Sequence, residues 1–459
     1  MPIKFVVLWS DALIYVLFAA ISLFIFWARR KYHLRNSWKQ VFSKPLAMIS
    51  IVFLVVYSGI AFLDSIHFQP KTEKFAIESV LDQILAPLNT FYEVTYSKPF
   101  ALHSYAKDIM TLSDGSVVRD YPKLSYSDLG QISIEERRAH MIDRTLNGAQ
   151  YGAAAWIILS LLIFSYLSYR WKTNIFISLK KIFCHETELP WLAFFITLGI
   201  VLISMTVSWN LSQEFHIFGT DKVGQDVFYE AVKSIRTGLI IGTLTTLLML
   251  PFAIFLGIAA GYFGGKIDDF IQYVYTTLSS IPGVLLIAAA VLSLQIFIAN
   301  HSQWFETLTQ RADDRLLALC AILGITSWTA LCRILRGETL KLREMDYIQA
   351  ARALGVGKLR IISRHILPNV MHIVLIGVVL DFSSLVLAEA VLSYVGVGVD
   401  PTTLSWGNMI NAARLELARE PLVWWPLLAA FIFMFILVLF ANVFSDAVRD
   451  GFDPRIRKL

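Results

Sequence analysis

The sequence predicts an all-α polytopic membrane protein with nine spans, on three observations. Of its 459 residues, 56% are hydrophobic and 16% charged, with a mean hydropathy of +0.60. A soluble chain of this length needs far more polar surface, so the bilayer is its natural solvent. Second, nine segments approach the length of about 20 mostly apolar residues that crosses a hydrocarbon core. They lie near 6–28, 46–63, 152–169, 190–209, 237–260, 270–298, 315–333, 370–396 and 423–445. Third, Lys and Arg crowd four connections, Arg29–Lys44, Arg170–Lys181, Arg333–Arg364 and Arg449–Lys458. Short cytoplasmic loops retain basic residues, so nine spans put the N-terminus outside and the C-terminus in the cytoplasm. The net charge of +5 is too modest to point to nucleic acid.

The first apolar run carries one base ahead of it, Lys4, and Arg29, Arg30 and Lys31 behind it. A signal peptide has its charge in front, so this run reads as a retained helix. Residues 1–64 thus hold two N-terminal helices. Residues 65–150 form an extracytoplasmic segment too poor in apolar residues to stand alone without the helices or a partner. Within it, strand-like runs Ile109–Ser113 and Ser116–Tyr121 flank Asp114-Gly115, a pair suited to a hairpin turn. Ser133, ahead of Glu135 and Glu136, fits the start of a helix running to about Asn147. Residues 151–189 carry a third helix and a basic linker, and 190–459 carry six helices. Cys184, Cys320 and Cys332 read as small apolar residues; Cys320 and Cys332 would sit about 18 Å apart on one helix, beyond disulfide reach.

The longest inside loop, Arg333–Pro368, holds eight Lys/Arg against three acids. In it Tyr347, Ala350, Ala351 and Leu354 recur at i, i+3, i+4 and i+7 and share one helical face of mostly small residues. Gly355 suits a left-handed helix end, and Pro368 marks entry to the next span. The pattern predicts a short exposed helix offered to another surface.

These residues carry a resemblance. Gln349-Ala350-Ala351, Gly355 and Leu367-Pro368, within a coupling loop over 334–368, resemble the E-A-A loop of ABC importer permeases, with Gln349 where the family has Glu and His365 where Ile is usual. Phe218-Gly219-Thr220-Asp221, Gly224 and Asp226 resemble the F-G-T-D-x-x-G-R-D segment of the peptide/nickel branch, with Gln225 in place of Arg. Ala260–Gly265, Leu387–Gly396, Ser405–Met409 and Arg449–Arg455 follow in family order. Across 190–459 the chain is similar to the C-type subunit of dipeptide and oligopeptide permeases. The resemblance implies a six-helix ABC importer permease core in a bacterial inner membrane, preceded by three extra helices. It also implies partners: a second permease subunit in a heterodimer, two ATP-binding subunits docked on the coupling loop, and an extracytoplasmic binding protein. ATP and Mg²⁺ would be held by those subunits, since no G-x-x-x-x-G-K-[ST] loop occurs here. No catalytic pair or metal-spaced cluster stands out, so the chain reads as a permease rather than an enzyme.

Asp381 and Glu389 fall within one span, and neither is expected to face lipid. Eight residues apart, they lie about 80° apart around a helix, so either a pathway lining or contacts to neighbouring helices would satisfy them. Pro282 should kink or break the sixth span. Alternatives to peptide import are import of nickel chelates or another small solute, a membrane-anchored sensor or scaffold built on 65–150, and a secondary carrier.

Overall fold

The computed structural model describes residues 4–69, 77–90, 92–111, 117–124, 134–172, 181–182, 187–301, 303 and 307–452. Its helices in chain order are α1 (Trp9–Arg30), α2 (Tyr32–Phe42), α3 (Pro45–Asp64), α4 (Val80–Ile84), α5 (Ala86–Thr90), α6 (Ile134–Trp171), α7 (Trp191–Leu211) and α8 (Val227–Phe263). They continue with α9 (Gly265–Ser280), α10 (Gly283–Asn300), α11 (Leu308–Ser327), α12 (Thr329–Arg343), α13 (Asp346–Ala353), α14 (Lys358–Ile361), α15 (Leu367–Tyr394), α16 (Trp406–Glu416) and α17 (Trp425–Phe452). Short strands are β1 (Lys4–Val6), β2 (His67–Gln69), β3 (Glu78–Ser79), β4 (Asp108–Thr111) and β5 (Val117–Asp120). Among the described residues nine helical stretches are long and apolar enough to cross a membrane.

Several expected boundaries move. The polar helix after Ser133 and the span at 152–169 are one 38-residue helix, α6, because Gly148 and Gly152 between its charged start and apolar end stay helical and pack against a neighbouring helix. Ser133 itself lies outside the described residues, as do Cys184, the Asp114-Gly115 turn and the tail beyond Phe452. The strands flanking that turn do pair, antiparallel, with Thr111 opposite Val117. The sixth span breaks at Ile281-Pro282 into α9 and α10, and of the two only α10 is long and apolar enough to span. Pro282 has no N–H to continue the ladder and forces its predecessor out of the helical region; Ile281 is extended, with ψ 131°. Pro368 does not open its span. Helix runs from Lys358 to Tyr394, and a π-turn at Ile362–Ile366 widens the backbone just before the proline ring. Likewise the seventh stretch is Leu308–Arg343, with Cys320 on α11 and Cys332 on α12, both buried and free.

Packing groups the chain into two compact units that cut across the sequence blocks. The first contains residues 39–236 and 404–444. In it α6 lies against α7 along Gly148 and Gly152, where an added Cβ would sit 2.8 Å from Val207 Cα and 2.7 Å from Ile203 Cα. Backbones approach this closely in a bilayer only where small residues recur every four positions. The seam continues with Trp156 Nε1 donating to the Phe195 carbonyl at 2.8 Å and with Phe164 stacked on Phe195. In the same unit α3 joins α17, through Phe53 stacked on Phe440 at 3.9 Å and Tyr57 donating to the Phe433 carbonyl.

The second unit contains residues 6–38, 237–403 and 445–459. Its core has two apolar clusters, one around Met249, Leu335, Ile348 and Val370, the other around Ile241, Leu319, Leu323 and Leu385. Helix α8 meets α12 at Gly261, whose added Cβ would lie 2.6 Å from Thr339 Cβ. Helix α1 attaches to α11 by the Ser10 backbone N–H and hydroxyl, both donating to the Asp313 carboxylate.

Candidate coupling site and outer motif

The loop expected to couple, 334–368, is a chain of short helices held from beneath. Ile348 and Ala351 of α13 are buried in the same apolar cluster as Ile361, Ile366 and Val370. That corrects the expected contact face. Ala351 turns inward beside Ile348, because the one large aliphatic residue of α13 takes the core position and Ala351 is its i+3 neighbour. Tyr347, Ala350 and Leu354 remain exposed on the outer side, Leu354 at 83%.

Gly355 ends α13 at φ +73°. Its N–H donates to the Arg352 carbonyl and that of Val356 to the Ala351 carbonyl, both at 3.0 Å, the paired bonds of a Schellman turn. Gln349 donates through Nε2 to the Glu344 carbonyl at 3.2 Å, a bond that a glutamate at this place would not make. Tyr347 Oη accepts from Asn369 Nδ2 at 3.1 Å, tying α13 to the start of α15. Cations fasten the loop to the end of α8, just before a turn: the Arg352 guanidinium lies 5.0 Å from the Tyr262 ring centroid, and Lys358 Nζ 5.8 Å from that of Phe263. Gly264 and Gly265 make that turn with φ +65° and +54°.

Leu359 is a residue that sequence reasoning missed. It is 79% exposed, one turn beyond Gly355, and with Leu354 forms a pair of apolar knobs among Arg352, Lys358 and Arg360. Its signal was a lone Leu between two bases.

The Phe218–Asp226 motif folds onto residues 93–97. Thr220 Oγ1 donates to the Thr95 carbonyl and accepts from the Ser97 N–H, and the Glu93 N–H donates to the Gly224 carbonyl. Gly219 (φ +67°) and Gly224 (φ +79°) have no room for a side chain, since an added Cβ would lie 2.2 Å from the Ser97 oxygen and 1.8 Å from the Glu93 oxygen. The Asp221 carboxylate accepts from the Val223 and Gln225 N–H groups and closes the loop on itself. Asp226 caps α8, with Oδ1 accepting from the Tyr229 N–H at 2.9 Å and Oδ2 2.6 Å from His216 Nδ1. Burial opposes a charge on His216, but the Asp226 and Glu93 carboxylates outweigh it and push the imidazole up to about 9.

The family model for the binding-protein-dependent transport system inner membrane component matches residues 253–458. The oligopeptide transport system permease protein OppC of Mycobacterium tuberculosis is 32% identical over 244 residues, which cover 53% of this chain and 77% of that one. The chain belongs to this family of transport permeases.

The dipeptide transport system permease protein DppC of Lactococcus lactis is 30% identical to the permease over 52% of its length and 64% of the relative's. The permease thus spans somewhat under two thirds of that relative. Among solved structures, the inward-facing MetNI methionine ABC transporter aligns with 49% of the permease and 97% of that chain at 15% identity and a TM-score of 0.37, too distant to place residues.

The pathway candidates are not brought together. Glu389 of the permease is buried on α15 and accepts from the Ser393 hydroxyl at 2.7 Å. Asp381, about two turns earlier, is half-buried with its carbonyl accepting from Ser384. Pro282 begins α10 after the break. Trp406 of the Ser405–Met409 motif is buried, its Nε1 donating to the Ala231 carbonyl at 3.0 Å, and Ser405 caps α16. Neither Trp406 nor Glu389 is offered to solvent.

Proposed function

We propose that this permease is one of two membrane subunits of an ATP-driven importer of di- and oligopeptides. In this reading two ATP-binding subunits, which hold ATP and Mg²⁺, dock on α13 and α14, and an extracytoplasmic binding protein delivers the peptide. The N-terminus is outside and the C-terminus cytoplasmic. Residues 1–189 are an added block, and 190–459 are the six-helix core. The permease itself hydrolyses nothing; nucleotide-driven closure of its partners moves α13 and biases the bundle between two states.

One observation carries the docking claim: a short helix buried on one side at Ile348 and Ala351 presents Tyr347, Ala350 and Leu354 on the other. A helix that served only as a membrane-surface cover would turn its large apolar residues inward, whereas Leu354 and Leu359 point out among bases. The peptide reading is supported by the relatives, which are dipeptide and oligopeptide transport system permeases. The test is Leu354→Glu. Leu354 is exposed, so membrane insertion and thermal stability should hold, the latter within about 0.5 kcal/mol. ATP-dependent uptake of a labelled tripeptide into proteoliposomes, and co-purification of the ATP-binding subunits, should both be lost. Unchanged uptake sinks the docking role.

A further inference from the structure

Neither α13 nor the Phe218–Asp226 motif accounts for a groove of about 460 Å³ in the first unit, where α6 ends and α7 begins. Gly148 meets Val207 and Phe164 meets Phe195, so the two helices run antiparallel. Trp171 closes the span of α6 and Trp191 opens that of α7, which puts both indoles at one level on the groove wall. Tryptophan concentrates at the level where hydrocarbon gives way to headgroups. Leu167 and Leu189 complete the apolar wall, which continues inward to buried Ile182 and Phe195.

The polar lining is cationic. Arg170 and Lys181 both line the groove, and among the described residues neither pairs with a carboxylate. Glu188, the acid of the described lining, is answered by Lys39 Nζ at 2.6 Å. The Thr187 hydroxyl donates to the Leu189 carbonyl at 2.7 Å, so donors for an anion come from the two bases. On α6, exposed Leu162 and Tyr166 precede Arg170 at four-residue steps. An apolar track therefore leads from the bases into the membrane span.

Water can solvate the two bases, but it gains nothing from the indole and leucine walls beside them. A molecule that carries a phosphate, then glycerol, then hydrocarbon matches the three parts in order. Arginine holds phosphate bidentately and lysine holds it as a point charge. Basic recesses between membrane helices take anionic headgroups on the same ground. We propose that this groove binds an anionic phospholipid, with Arg170 and Lys181 on the phosphate and Trp171 and Trp191 against the glycerol. The acyl chains then follow Tyr166 and Leu162 along α6. The inference goes beyond peptide transport and stands or falls independently of it.

The test uses the full chain, purified in detergent and stripped of lipid, with dioleoylphosphatidylglycerol and dioleoylphosphatidylcholine added in turn. In native mass spectrometry, Arg170→Gln with Lys181→Gln should weaken binding of the first phosphatidylglycerol about 30-fold, through loss of two basic contacts. Phosphatidylcholine binding should not change. Arg29→Gln with Arg30→Gln removes the same charge elsewhere and should leave both lipids bound as in the wild type. Equal weakening by the two double variants overturns the inference, since general attraction then accounts for the binding. Displacement of phosphatidylglycerol by an equal concentration of inorganic phosphate overturns it too, because the groove then takes a soluble anion. The wild type supplies a check that needs no variant: its thermal midpoint should be higher with phosphatidylglycerol than with phosphatidylcholine. Coincident midpoints overturn the inference.

Discussion

Gly355→Ala separates conformation from bulk in the coupling helix. An added Cβ at this position meets no atom within 4 Å, so sterics contribute nothing. What alanine loses is the backbone: at φ +73° a non-glycine residue is about 1–2 kcal/mol worse off. That energy falls on the turn made by the Gly355 and Val356 N–H bonds, and it corresponds to a 5- to 30-fold lower population of the capped form. Exposed Leu354 precedes the turn and Leu359 follows it, so their relative placement depends on it. With the ATP-binding subunits titrated onto permease in nanodiscs, Gly355→Ala should weaken binding about 5- to 30-fold. Peptide-stimulated ATP hydrolysis should fall in parallel. Gly355→Asn should recover most of the loss, because asparagine enters the left-handed region more readily. Asparagine as damaging as alanine would mean that the position requires smallness, and the capping argument would be refuted. So would alanine indistinguishable from glycine.

Further outcomes follow from other parts of the molecule. Gly152→Leu should separate α6 from α7, because its Cβ starts 2.7 Å from Ile203 Cα; overpacking of this kind costs about 1–3 kcal/mol, visible as a lowered thermal midpoint in detergent. Gly59, with nothing within 4 Å of an added Cβ, should accept Ala with little change in that midpoint. His216 has a folded-state value above its unfolded one, so its stabilisation is complete below about 6.5 and is lost as pH rises through about 9. The outer loop should therefore loosen between those values, by up to about 3 kcal/mol, measured as protease susceptibility of residues 93–100. His216→Gln should flatten that profile.

Helix existence was legible in the sequence because the bilayer imposes a single length and an apolar composition, and each of the nine runs has its counterpart. Boundaries were less legible. At Pro368 the sequence offers a helix breaker, but a π-turn absorbs the proline without ending the helix. At 133–171 the change from charged to apolar residues looks like a boundary, yet nothing in the backbone requires one. In the coupling loop the left-handed end at Gly355 was readable from residue type alone. The direction of Ala351 was not, since Tyr347 and Ile348 are adjacent and periodicity cannot decide which of them is buried. The bidentate Arg336–Asp268 pair and the hold of Thr220 and Gly224 on residues 93–97 join positions 68 and more than 120 apart, and no local pattern announces them.

The glycine seam between α6 and α7 bears on how the chain is made. Only 19 residues separate the end of α6 at Trp171 from the start of α7 at Trp191, so the two emerge from the ribosome almost together. A groove floored by Gly148 and Gly152 gives the later helix a partner already waiting in the bilayer. On the reading that 190–459 form the permease core, its first helix would be inserted as half of a hairpin. A version of the chain begun at residue 190 would have to insert the same helix unaccompanied, with its Ile203–Val207 face turned to lipid.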